Sequence, residues 1–242
     1  MELKGLTALV TGAGGGIGKA IALSLAGKGV NLILFGGNNL EKLNSTAHDV
    51  RETGVECVVA PCDLTDYNTM CLTFNECVKS FEKIDILINN AGMAFNAPIE
   101  STPVEVFDRI MNINTRAPYL LTQLVLPYLK RSKRASIINI SSVVAHAGYA
   151  DQSAYSASKH ALIGFTKALA KEVYKDGIRV HAVSPGGVYT DMIKVARPDL
   201  TADGMIMPEE IADVVSFLLE NRGNAVIDEI IVHRAPKEPF LV

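Results

Sequence analysis

Apolar residues in this chain come in short continuous runs, and each run is followed by a longer stretch with helical spacing. Residues 6–12 (LTALVTG) form an apolar run ending in glycine. Residues 17–29 then repeat apolar positions at helical period and stop at a glycine. The same alternation continues through a strand at 30–37, a polar helix at 39–54, a strand at 55–63, a helix at 67–81 and a strand at 84–92. A long helical region at 103–130 begins with Pro103 at an N1-like position after Thr102. A strand at 135–142 follows it, then a helix that carries Tyr155 and Lys159 to about residue 174. The pattern predicts a further strand at 177–186, a helix at 208–220 and a last strand at 225–233.

The strand segments are continuously apolar and do not alternate, so both of their faces must be covered. That is the signature of a parallel sheet with helices on both sides. No linker, repeat or low-complexity tract divides residues 1–242. The expected architecture is one α/β domain, doubly wound, with about seven parallel strands.

Composition narrows the function classes. The chain is 48% hydrophobic and 20% charged, in the range of soluble globular proteins. Its formal net charge of −3 suggests no nucleic-acid partner. The one dense basic run, Lys130 to Arg134, reads as a solvated helix end. No apolar stretch approaches a membrane span; the longest, 119–129, carries Gln123 and Pro127. The first apolar run is too short for a secretory leader. Cys57, Cys62, Cys71 and Cys77 have neither CxxC nor zinc-finger spacing, so free thiols and no metal site are expected. A cytoplasmic location follows.

Two local features suggest chemistry. TGAGGGIGKA (11–20) joins the first strand to the first helix. Glycines there let the backbone approach a pyrophosphate, and the helix N-terminus favours its charge. The glycines that recur are Gly12, Gly16 and Gly18, a TGxxxGxG spacing distinct from GxGxxG. Further along, AYSASKHAL (154–162) puts a phenol and an ammonium four residues apart, on one helix face, among small side chains. Taken alone, that pair reads equally well as surface decoration.

Together with further motifs in order, these features resemble the classical short-chain dehydrogenase/reductase family. NNAG stands at 89–92, Asn114 lies in MNINTRAPY, and Ser142 ends a strand 13 residues before Tyr155. YSASK (155–159) matches the family's YxxxK, and SPGGVYT (184–190) its PGxxxT element. The resemblance covers nearly the whole chain. It implies a Rossmann-type fold and hydride transfer between a nicotinamide cofactor and a carbonyl or secondary alcohol. It makes Asn114, Ser142, Tyr155 and Lys159 the catalytic set. Tyr155 would exchange the proton, Ser142 would hold the substrate oxygen, and Asn114 would bind a water linking Lys159 to solvent. Lys159 would lower the phenol's pKa and hydrogen-bond the nicotinamide ribose. For the cofactor, the resemblance implies that Gly12, Gly14, Gly15, Gly16, Ile17 and Gly18 hold the pyrophosphate, and that Asp63 and Leu64 meet the adenine. Asn90, Ala91 and Gly92 would line the adenosine-ribose side, while Pro185, Gly186, Val188 and Thr190 would lie along the nicotinamide side. The family also implies a homotetramer and a small-molecule carbonyl, alcohol or acyl-thioester substrate.

The sequence departs from the family where the second strand ends. An acid about 20 residues past the glycine motif would grip a ribose 2′-hydroxyl. Here Gly36, Gly37 and Asn38 occupy that region, with no Asp or Glu between Lys19 and Leu40. NADP(H) is therefore the favoured cofactor and NAD(H) the alternative, with Lys19, Asn38 and Asn39 as candidate phosphate contacts. Only 17 residues separate Thr190 from Pro208, which implies a short substrate-covering loop. The C-terminal segment lacks the TGQ…VDGG ending of acyl-carrier-protein reductases. His181 stands where many relatives have Asn, and His146 follows Ser142 in a loop that faces either substrate or solvent. A Ser142–His146–Asp151 hydrolase triad is rejected, because GxSxG is absent and the spacing is too local. Three functions compete: an NADPH-dependent ketone or 3-oxoacyl reductase, an NAD-dependent alcohol or polyol dehydrogenase, and a non-catalytic dinucleotide sensor. The four filled catalytic positions disfavour the sensor.

Overall fold

The structure, a computed structural model, describes residues 2–37, 39–81, 83–196 and 201–238. Its centre is a seven-stranded sheet in the order β3-β2-β1-β4-β5-β6-β7. The strands are β1 (Thr7–Thr11), β2 (Asn31–Gly36), β3 (Cys57–Pro61), β4 (Ile86–Asn89), β5 (Ser136–Ile140), β6 (Arg179–Pro185) and β7 (Glu229–Val232). All neighbours run parallel. Around them lie α1 (Gly16–Gly27), α2 (Leu40–Arg51), α3 (Tyr67–Cys77), α4 (Val104–Met111), α5 (Ala117–Leu129), α6 (Ser153–Val173), α7 (Asp191–Ala196) and α8 (Pro208–Glu220).

The continuous apolar runs are explained by where alternate residues go. Ala8, Val10, Leu32, Leu34, Ile86 and Ile88 pack with α1, α2 and α8 on one face. Leu9, Ile33, Phe35 and Leu87 pack with α3, α5 and α6 on the other. Each strand is therefore a layer between two cores, as expected of a doubly wound sheet. Helix starts follow local chemistry. Asn39 Oδ1 accepts from Lys42 N at 2.9 Å to cap α2, and Asp66 accepts from Asn68 and Thr69 amides to cap α3. Pro208 is the first residue of α8. Among the described residues, no helix is long and apolar enough to cross a membrane.

Three expectations change. The helical region at 103–130 is not one α-helix: α4 and α5 are joined by a π-helical turn at Asn112–Arg116. The last strand covers only Glu229–Val232, because β7 is an edge with β6 as its one neighbour, and pairing starts only at Ala182–Glu229. The segment after Thr190 is not simply a loop, since it begins with α7. Its base is closed by a bridge between Val188 and Ile206.

His181 is a buried histidine in β6. Its Nδ1 lies 2.6 Å from the Ile227 carbonyl oxygen, to which it must donate, while Nε2 has no hydrogen-bond partner. Burial holds its pKa below the ordinary value; Arg179 and Arg222 add to this, and the Ile227 hydrogen bond opposes it. The unfolded ring titrates near ~6.5, above the folded ring. The stabilising contribution is therefore complete above that pH and is lost as the pH falls through the folded value. His181→Asn is expected to flatten the fall in thermal midpoint between about pH 7 and about pH 5. An unchanged slope in the variant would assign the acid sensitivity to other groups.

Candidate active site

Strand order reverses between β1 and β4, and in such sheets the ligand crevice opens at the carboxyl ends of the strands at that point. The turn after β1 carries the glycines. Gly12 and Gly16 adopt positive φ, +66° and +51°, where a side chain would be strained. A Cβ on Gly18 would lie 2.2 Å from the Gly12 carbonyl oxygen, so α1 packs directly on the turn. Gly15, the N-cap of α1, offers no side-chain cap, and nothing stands within 4 Å of where its Cβ would be. The first amides of α1, Ile17 and Gly18 among them, thus face an open edge with the positive end of the helix dipole behind them. This is a donor set for a phosphate, and the residues present fit a dinucleotide.

The turn after β4 is stitched to β1. Thr11 Oγ1 accepts from both the Asn90 and Ala91 amides at 2.9 Å, and Asn90 Nδ2 donates to the Thr11 carbonyl at 2.9 Å. The end of β2 lies beside them. A Cβ on Gly36 would meet Leu43 Cδ1 at 2.9 Å, and one on Gly37 the Cys62 carbonyl oxygen at 3.1 Å. Asn38 falls outside the described residues. Asp63 accepts from the Thr65 amide and hydroxyl, which hold its carboxyl below the usual range. Leu64 is buried beside it. On the opposite side Thr190 packs against Gly16, Gly186 lies under the Val232 carbonyl, and Val188 is buried in the core. Pro185 ends β6.

Tyr155 and Lys159 stand one turn apart on α6 and share a face, with the Lys159 amine 5.9 Å from the Tyr155 ring centre. Lys159 is buried, and its Nζ donates to the Ile140 carbonyl at 2.9 Å. Burial without a carboxylate partner pulls its pKa down to about 8. Ser142 is the buried residue just past β5, and its hydroxyl accepts from Val144 N at 3.4 Å. Burial pushes the Tyr155 phenol up, and a hydrogen bond with Ser142 opposes that rise. The Lys159 amine is engaged by Ile140, and Ser142 is the group beside the phenol that counters burial.

Asn114 projects from the π turn into this cluster. Its Oδ1 accepts from Met93 N at 2.8 Å. Its Nδ2 donates to the Met93 carbonyl at 2.8 Å and to Ser158 Oγ at 2.9 Å. Ser158 in turn donates to the Tyr155 carbonyl at 2.7 Å. The Asn114 side chain therefore ties the β4 turn to the Tyr155 helix. A Cβ on Gly92 would stand 3.3 Å from Asn114 Oδ1 and 3.6 Å from Lys159 Nζ, so these three residues converge.

Sequence reasoning missed Thr11, Ser158 and the Met93 main chain. Their signal is present only as Thr before the first glycine and Ser before Lys159, both common strand and helix residues. Two further groups have partners that the sequence did not indicate. His146 pairs with Glu229, Nε2 to Oε1 at 2.7 Å, with buried Ser184 3.3 Å from the same nitrogen. It is therefore not a solvated loop residue. Lys19 is turned to Asp49 at 2.7 Å. A separate groove of about 470 Å³ lies between the C-terminal half of α6 and the β7 edge, with Thr166, Ala170 and Asp228 among its lining. Neither Ser142 nor Tyr155 lines it.

The comparisons with known proteins agree with this geometry. The short chain dehydrogenase family model matches residues 6–201. A 3-oxoacyl-[acyl-carrier-protein] reductase of Thermotoga maritima is 35% identical, with 96% of this chain and 97% of that protein covered. A metagenomic short-chain oxidoreductase solved in complex with NADP superposes with a TM-score of 0.84 at 32% identity, covering 97% of this chain and 100% of that one. Carveol dehydrogenase from Mycobacterium avium, solved with NAD, shares the fold with a TM-score of 0.88 at 24% identity, covering 96% and 98%. The chain belongs to the short-chain dehydrogenase family and is an oxidoreductase that uses a nicotinamide cofactor.

Lys159 is a cation held in a site that disfavours charge, so removing it should trade function for stability. Lys159→Met is expected to abolish turnover while raising stability by about 1–3 kcal/mol, read from denaturant unfolding at neutral pH. A destabilised variant would mean that the Ile140 hydrogen bond outweighs the burial of the charge.

Proposed function

We propose that this protein is an NADP(H)-dependent reductase of ketones or 3-oxoacyl groups, acting through Tyr155, Ser142 and Lys159. The observation that carries the reading is the Tyr155 phenol beside the Ser142 hydroxyl, with Lys159 one turn away on α6: a proton donor and a carbonyl-orienting group at one place. A protonated acid is what a carbonyl oxygen needs when it becomes an alcohol. The bound nicotinamide supplies the hydride. Ser142 orients the carbonyl oxygen by a hydrogen bond. Tyr155 donates its proton to that oxygen, and the resulting phenolate is stabilised by the adjacent Lys159 ammonium. Asn114 is a positioning residue that acts through Met93 and Ser158. Gly12 to Gly18 hold the pyrophosphate at the start of α1. Asp63, Leu64, Asn90, Ala91 and Gly92 flank the adenosine half, while Pro185, Gly186, Val188 and Thr190 flank the nicotinamide half.

Preference for NADP(H) is supported by the end of β2. No carboxylate stands there to repel a 2′-phosphate, and both glycines are too closely covered to be replaced freely. The 3-oxoacyl substrate class is supported by the Thermotoga maritima relative. A homo-oligomer, the family's tetramer, is supported by exposed Val104 and Phe107 on α4, Tyr119 on α5 and Phe217 on α8.

Tyr155→Phe is expected to lower turnover of an accepted ketone by about 10²–10⁴-fold. NADPH binding, followed by reduced-nicotinamide fluorescence, should be retained. Turnover at the wild-type rate would exclude Tyr155 as the proton donor.

A further inference from the structure

We propose that Lys42 is the residue that selects NADP(H), and that Asp191 competes with the cofactor's 2′-phosphate for it. This rests on the nicotinamide-cofactor reading above. Among the described residues, the end of β2 offers a ribose only Gly36, covered by Leu43, and Gly37, covered by the Cys62 carbonyl. No Lys or Arg occurs in residues 36–40, so a cation for a 2′-phosphate must come from a neighbouring element. Lys19, the cation nearest the glycine turn in sequence, reaches instead to Asp49 in the last turns of α2, away from its first turn.

Lys42 is rooted where the ribose would lie. It sits in the first turn of α2, and its Cβ is 3.7 Å from the position a Cβ on Gly14 would take. Its neighbour Leu43 covers both Gly14 and Gly36. Lys42 is thus flanked by the glycine turn on one side and the end of β2 on the other, the two elements that border a ribose 2′ position in this fold. It is the only Lys or Arg in the first half of α2.

Its amine is already committed to an anion. Lys42 Nζ lies 2.6 Å from Asp191 Oδ2, and Asp191 opens α7 directly after Thr190, which packs on Gly16. The ion pair therefore links the Gly14 end of the glycine turn to its Gly16 end. Both side chains are more than half exposed, 53% and 63%, and exposed pairs of this kind are weak. A phosphate monoester carries more charge and more acceptor oxygens than one carboxylate, so it wins the ammonium. Asp191 is not left bare by the exchange, since Lys194 Nζ stands 3.6 Å from its other oxygen. NADP(H) would thus untie α2 from α7, whereas NAD(H), lacking the phosphate, would leave the pair closed.

The test is a fluorescence titration of wild type, Lys42→Met, Lys42→Arg and Asp191→Asn with NADPH and with NADH. Displacement by 2′,5′-ADP and by 5′-AMP runs in parallel. Lys42→Met should weaken NADPH and 2′,5′-ADP by about tenfold or more and leave NADH and 5′-AMP unchanged. Lys42→Arg should keep NADPH affinity. Asp191→Asn should tighten NADPH by about two- to tenfold with no effect on NADH. Equal effects of Lys42→Met on both cofactors, or none on either, would overturn the assignment while leaving the oxidoreductase reading intact. Failure of the wild type to bind either cofactor would overturn both. Thermal midpoints without ligand check that the exposed substitutions leave the fold unchanged.

Discussion

Helix α1 can rest on the carboxyl end of β1 only because Gly18 has no side chain. A Cβ there would meet the Gly12 carbonyl oxygen at 2.2 Å and Asn90 Nδ2 at 2.5 Å, and the backbone oxygen cannot rotate away. That close approach puts the uncapped amides of α1 at the point where strand order reverses. It also brings Asn90 within reach of the Thr11 carbonyl, so the turns after β1 and β4 are held as one unit. The open amide edge of α1 and the floor of the candidate site therefore depend on the same missing side chain.

From that unit the geometry passes to the Tyr155 helix through hydrogen bonds. Met93 is held by Asn114, Asn114 by Ser158, and Ser158 by the Tyr155 carbonyl. The π turn at Asn112–Arg116 lets Asn114 point inward from an otherwise regular helical region. Below it, buried Asn89, Asn139 and Thr166 join β4, β5 and α6 side chain to side chain. This polar chain, satisfied except at Asn89 Oδ1, helps to hold α6 at one height above the sheet. Apolar packing alone would permit small slides that move the phenol relative to Ser142.

Charge is distributed by task. Lys159 is buried, has no carboxylate partner and binds a main-chain carbonyl, a costly placement that function explains better than stability. Lys19, Lys28 and Lys42 lie nearer the surface and each has a carboxylate partner on another element. The buried thiols of Cys62 and Cys77 are pushed up to about 11 and stay neutral. The Tyr155 phenol, the Lys159 ammonium and the Ser142 hydroxyl are gathered instead at the carboxyl edge of the sheet.

Much of this was legible in the chain itself. Continuous apolar runs specify strands covered on both faces, and the glycine spacing specifies where a helix meets a strand closely. Tyr155 and Lys159 needed only the helical period to share a face. The π turn was not legible, because Asn112–Arg116 has the same apolar spacing as an α-helix over so short a stretch. Nor were the partners of Lys42 and His146, which lie on α7 and β7. The Lys42–Asp191 pair joins residues 149 positions apart. Local periodicity determines which face of an element is apolar, but it carries no term for which distant element lies beside it. Strand order and the height of each helix on the sheet decide that, and they exist only once the whole core has closed.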